Sequence, residues 1–135
     1  GMIVYVLAEE IDYEYTNEGW IQLNPVVTFS ASAEVGDVIT VTVTVGSPTG
    51  VAIGKQYHLW LWLATSSGGG PAAADAVAAT TGTIQQVVTA NAEFRVRTNS
   101  SGVAVLTLQK SGAWTCILHA EVAGRVWPSS NVVWS

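Results

Sequence analysis

From Ile39 to Val45 the chain reads Ile39-Thr40-Val41-Thr42-Val43-Thr44-Val45, apolar and hydroxyl side chains in strict alternation. Successive side chains leave a strand on opposite faces. Ile39, Val41, Val43 and Val45 therefore line one face, and Thr40, Thr42 and Thr44 the other. β-Branched residues fit a half-buried pleat, and a helix would scatter the two classes around its circumference. Gly36-Asp37 and Gly46-Ser47-Pro48 close the segment with turn chemistry at both ends. A strand with one dry face needs a second layer to cover it, so this segment alone commits the chain to packed sheets.

The same period recurs at 56–64, 84–88, 93–97, 103–109, 114–122 and 132–134, with Gly, Pro and Ser between. Short strands at this spacing predict an all-β sandwich of about seven to nine antiparallel strands. One domain is the simplest organisation for 135 residues. Residues 1–24 read as an N-terminal β-hairpin extension packed on a sandwich spanning 25–135. In that extension Ile11, Tyr13 and Tyr15 alternate with Glu10, Asp12 and Glu14, and Thr16-Asn17-Glu18-Gly19 turns the chain toward Trp20. Five of the ten carboxylates lie between Glu9 and Glu18. They read as a solvated acidic face that guards an edge strand; a calcium site would need oxygen-ligand spacing that is not there. The stretch 64–82 is low in complexity, and its Pro71 suits either the first position of a short helix through Ala79 or a loop.

The C-terminal half carries Arg97-Thr98-Asn99-Ser100-Ser101-Gly102-Val103-Ala104, then Leu106-Thr107-Leu108, Gly112-Ala113-Trp114-Thr115 and Ala120-Glu121-Val122-Ala123-Gly124. This pattern resembles the bacterial immunoglobulin-like domains of the invasin and intimin type. Gly36-Asp37-Val38-Ile39-Thr40-Val41 and the turn at Ile53-Gly54 are similar to the first half of that family, so the resemblance covers about 25–135. It implies an immunoglobulin-like β-sandwich and a structural, non-enzymatic role. The family usually occurs as tandem copies in long secreted surface proteins. Single immunoglobulin-like domains without export signals are also common in tailed-phage virions, as tail, decoration or fibre components, and that context suits this sequence better.

Composition narrows the function further. Hydrophobic residues make up 49% of the chain and charged ones only 11%, against about 25% charged in a typical chain; mean hydropathy is +0.36. A net charge of −5 with five Lys+Arg is a poor footprint for nucleic acid or an anionic membrane. No apolar run is long enough to span a bilayer as a helix, and the N-terminus reads as lacking a signal peptide. Gly1 before Met2 reads as a residue left by tag removal. The expected location is the virion if a phage encodes the chain.

Chemistry-bearing motifs are scarce. Cys116, the single cysteine, cannot form an internal disulfide, and it reads as a small buried hydrophobe. His58 and His119, with Glu121, are the only grouping suggestive of a metal site. They lack the usual ligand number and spacing, so ordinary histidines are expected. There is no nucleophile elbow and no phosphate loop. No cofactor, metal or catalytic residue is assigned.

The open question sits at His58-Leu59-Trp60-Leu61-Trp62-Leu63-Ala64, where leucines take one face and tryptophans the other. Either Trp60 is a core tryptophan and the leucines face outward, or the leucines are inside and Trp60 and Trp62 are outside. Both arrangements leave an apolar face to be covered by the N-terminal hairpin, the Ala-rich segment, a second subunit or a ligand. The candidate interface or ligand surface is therefore His58, Trp60, Trp62, Trp20, Tyr13 and Tyr15. Aromatic enrichment marks interface cores, which favours a protein partner or self-association. The alternative is a carbohydrate-type ligand stacked on exposed tryptophans.

Overall fold

The computed structural model describes the backbone of residues 2–6, 11–16, 19–22, 25–47 and 54–135, and side chains within 25–47 and 54–135. Strands β1 (Met2–Val6), β2 (Ile11–Thr16) and β3 (Gly19–Gln22) form an antiparallel meander in which β2 is central. The expected hairpin is its second half; β1 adds a strand that alternation had not delimited. The side chains of Tyr13, Tyr15 and Trp20, and the acidic face between Glu9 and Glu18, lie outside the described residues.

Ten strands follow: β4 (Val26–Ala31), β5 (Val38–Gly46), β6 (His58–Ala64), β7 (Ala76–Thr81), β8 (Thr83–Thr89), β9 (Glu93–Arg97), β10 (Val103–Gln109), β11 (Trp114–Val122), β12 (Arg125–Pro128) and β13 (Val132–Trp134). They form one sheet in the order β4-β5-β10-β7 and another in the order β12-β11-β6-β9-β8, with β13 also on β11. Pairing runs His119↔Pro128 in β12 and Cys116↔Val132 in β13, a shift of one residue. Between them Ser129 N–H donates to Leu118 O, and Leu118 N–H to Ser129 Oγ. β12 and β13 are thus two halves of one edge strand interrupted by a bulge, which brings the sandwich to nine continuous edges and centres.

The alternation places the core as expected. Ile39, Val41, Val43 and Val45 from β5 and Ala104, Leu106 and Leu108 from β10 are buried. They share one cluster with Leu59, Leu61 and Leu63, Phe94 and Val96, and Cys116, Leu118, Ala120 and Val122 from the other sheet. Trp134 closes one end, buried, tilted against Trp114 at 5.3 Å and donating from Nε1 to Asp37 O at 3.1 Å. Burial pushes the Cys116 thiol up to about 12, as for a cysteine used as a hydrophobe.

One segment departs from the helix expected for it and is a loop only in its first part. Residues 71–75 form no helix and have no regular structure, with a bend at Asp75, and 76–79 belong to β7 at the edge of the four-stranded sheet. Leu108↔Val77 and Leu106↔Ala79 pairing overrides alanine's helical preference. Asp75 pins the start of this strand, accepting from Lys110 Nζ at 3.0 Å and from Ser111 N and Oγ at 2.8 and 2.9 Å. The backbone hydrogen bond from Ser111 and the Lys110 ammonium hold its carboxyl down at about 2. Gly82 then carries the chain from one sheet to the other at φ 74°; a Cβ there would stand 2.6 Å from Arg97 O.

Candidate functional site

The leucines of β6 are inside, so Trp60 and Trp62 lie on the outer face of the six-stranded sheet. The reading of Trp60 as the core tryptophan does not hold: the inner face of β6 holds Leu59, Leu61 and Leu63 packed against the opposite sheet. Register then determines the neighbours of each ring. Trp60 stands between Arg95 on β9 and Glu121 on β11; Trp62 stands between Glu93 on β9 and His119 on β11.

These neighbours half-bury both rings. Trp60 donates from Nε1 to Glu93 Oε1 at 2.7 Å, and Thr89 Oγ1 donates to Glu93 Oε2 at 3.0 Å. The Arg95 guanidinium lies 4.1 Å from the centroid of Trp60, a cation over the electron-rich ring face. Arg95 is exposed and also covers Trp60. Trp62 stacks on His119 with centroids 4.9 Å apart and planes 7° apart, and it meets Trp60 edge-on at 6.3 Å and 66°.

The cover over Trp62 comes from the chain itself, through the loop 65–71. Trp62 Nε1 donates to Gly69 O at 3.1 Å, and Gly68 N–H donates to His119 Nε2 at 2.9 Å. Ala72 N–H then donates to Leu63 O and returns the chain to the sheet. A backbone N–H can only donate, so His119 Nε2 must be an acceptor and the ring is neutral with its proton on Nδ1. His119 is 1% exposed, and burial holds its pKa below the usual histidine value. Gly68 adopts φ 72°, a left-handed turn that suits glycine. The run of three glycines is therefore a tight loop packed on a tryptophan.

His58 lies at the other end of β6, opposite Arg97, where its Nδ1 is 2.8 Å from Gln85 Oε1. Four strand positions, about 13 Å at the usual rise, separate it from the level of His119, which pairs with Trp62. The two histidines and Glu121 do not converge on one point. Two depressions cross this face. The larger, about 560 Å³, includes His58, Trp60, Gln85, Gln86, Arg95 and Glu121. The smaller, about 260 Å³, lies between Trp60, Trp62, Glu93, Glu121 and the 68–71 segment. Glu93, Glu121 and the glycine loop were not among the sequence candidates for a ligand surface. Their signal was present only as register, since Glu93 and Glu121 fall opposite tryptophans once β9, β6 and β11 are aligned.

No helix among the described residues is long and apolar enough to cross a membrane. No protein-family model matches the chain, and no curated protein matches it. Among solved structures it is similar to the D00–D0 domain of intimin, with a TM-score of 0.51 and 17% sequence identity over 93% of this chain. The chain spans 62% of the length of that structure. With its two antiparallel sheets of four and six strands, this chain is an immunoglobulin-like β-sandwich sharing the fold of the intimin domain.

Proposed function

We propose that the chain is a non-enzymatic structural module that self-associates through the β8 edge of its six-stranded sheet. The observation that carries this is the composition of that edge. β8, Thr83-Ile84-Gln85-Gln86-Val87-Val88-Thr89, contains no charged residue and no proline, and Val87 and Val88 are 55% and 46% exposed. Natural sheets guard free edges with lysine, proline or interruption. The opposite edge of this sheet is guarded by Pro128 and the Ser129 bulge, whereas β8 has only two irregularities in its ladder with β9. A second copy meeting β8 across a twofold axis would continue the sheet and bury these valines. A module with only 11% charged residues suits a densely packed assembly such as a phage virion, in a tail, decoration or fibre role.

Hydrogen exchange read at β8 tests the proposal. Self-association predicts that its amides are protected at high protein concentration and become exchangeable on dilution, while those of β5 stay protected throughout. Concentration-independent exchange in β8 would remove the edge from consideration. Carbohydrate binding at Trp60 and Trp62 takes second place, because Arg95 covers one face of Trp60 and His119 one face of Trp62. Titrating tryptophan fluorescence with a glycan panel checks that reading directly.

A further inference from the structure

The protein uses its cations in an unusual way. Of its five Lys and Arg residues, four lie over aromatic rings: Lys55 over Tyr57, Arg95 over Trp60, Lys110 over Trp114 and Arg125 over Trp127. Trp62 breaks the pattern. Its stacked partner is the neutral ring of His119, and no described cation covers it. Beside it lies the cavity of about 260 Å³, walled by Trp60 and Trp62 at 66° to each other and flanked by Glu93 and Glu121 from the strands on either side.

The two carboxylates are not equivalent. Glu93 already accepts from Trp60 Nε1 and Thr89 Oγ1. Glu121 is half-buried, lines both depressions, and has no hydrogen bond or ion pair among the described residues. Arg95 takes one face of Trp60 and His119 one face of Trp62, and Arg95 does not line the smaller depression; the indole surface left there, with the unspent carboxylate, is an electron-rich depression of the kind that holds alkylammonium groups by cation–π attraction.

We propose that this cavity binds an alkylammonium group, with Trp60 and Trp62 as walls and Glu121 as counter-ion. The site is separate from the β8 edge and does not depend on self-association. Two sources share this chemistry: a quaternary ammonium of the choline type, and the primary ammonium of a lysine side chain. Quaternary methyl groups fill an aromatic box more completely, whereas a primary ammonium relies on hydrogen bonds to Glu121.

The test is a tryptophan-fluorescence titration of the whole chain with choline, tetramethylammonium, an N-acetyl-lysine amide and a glycan panel, with sodium chloride matching ionic strength. A saturable response to an ammonium compound and none to sodium is expected. Stronger binding of choline than of the lysine amide would assign a quaternary source, and the reverse a lysine. Glu121→Gln should weaken the response about tenfold, as loss of a partly desolvated counter-ion implies. Trp62→Phe keeps the stacking on His119 and should weaken it less. Trp62→Ala should abolish binding, provided circular dichroism shows that the sheets persist. No saturable response in the folded protein, a response unchanged by Glu121→Gln, or a response to glycans alone would overturn the proposal.

Discussion

His119 is the residue on which most of the outer face turns. Its Nε2 accepts the Gly68 N–H, so a proton on that nitrogen removes the acceptor and sets two N–H groups against each other. The charged groups on surrounding strands are Glu121 on β11, Glu93, Arg95 and Arg97 on β9, and Arg125 on β12; the loop 65–71 contributes none. Burial lowers the folded-state pKa below the ordinary 6.5, so between the two values the unfolded chain binds more protons. Stability attributable to this residue is complete above about pH 6.5 and is lost as pH falls toward the folded-state value. Denaturant melts from pH 7 downward should show that slope, and His119→Phe should remove it. The same variant leaves Gly68 N–H unpaired, at about 1–3 kcal/mol. Little of this was legible beforehand. A histidine on an alternating strand reads as ordinary, and only the return of a glycine loop from far along the sequence gives it a partner. Cys116 was legible because its neighbours at two-residue spacing are all apolar. A disulfide-exchange reagent should leave it unmodified in the native protein and label it fully in denaturant.

At the scale of elements, turns explain what alternation could not. Ala123 and Gly124 join β11 to β12 with φ values of 52° and 77°, a two-residue hairpin of the type that asks for positive φ twice. Alanine is strained there, so Ala123→Asn should raise stability by about 0.5–1 kcal/mol, measured as a shift in denaturation midpoint. The opposite case is Gly102. A Cβ there would lie 2.7 Å from Val45 O at φ 77°, so Gly102→Ala should cost about 2 kcal/mol or more. The same turn accounts for the motif that carries the family resemblance. Thr98 is buried, its Oγ1 accepting from Tyr57 N–H and donating to Asn99 O. Asn99 Oδ1 then accepts from Ser101 N–H and Val103 N–H. Strands β5 and β9 were legible because each alternates cleanly, and β8, β10, β11 and β13 because β-rich runs stand between turn residues. β7 was not, because Ala76-Val77-Ala78-Ala79 carries no face contrast and becomes extended only by pairing with β10.

For the molecule as a whole, the sandwich follows from faces that cannot be left in water: one inner face rich in valine, the other in leucine. Trp134 near the chain end belongs to that core, and Trp134→Ala should destabilise by about 3–5 kcal/mol. Because β1–β3 share no hydrogen-bonded strand with the two sandwich sheets among the described residues, removing residues 1–24 should leave a cooperatively folding 25–135 unit. A chain without a cooperative transition would contradict the division. Sandwich class was readable from period alone, whereas the inward face of β6 was not, since leucine and tryptophan are both apolar. Only the leucines, stacked against the valine face, fill the core, and the wider indoles with their N–H donors find partners outside. The central claim concerns what the β8 edge, unpaired on its outer side among the described residues, does. Its most direct test is the solution mass by light scattering over a range of concentrations, for the native chain and for Val88→Lys with unchanged circular dichroism. The account predicts a defined oligomer that the lysine reduces to a monomer; a native chain that is monomeric at every concentration, or an oligomer indifferent to the lysine, would contradict it.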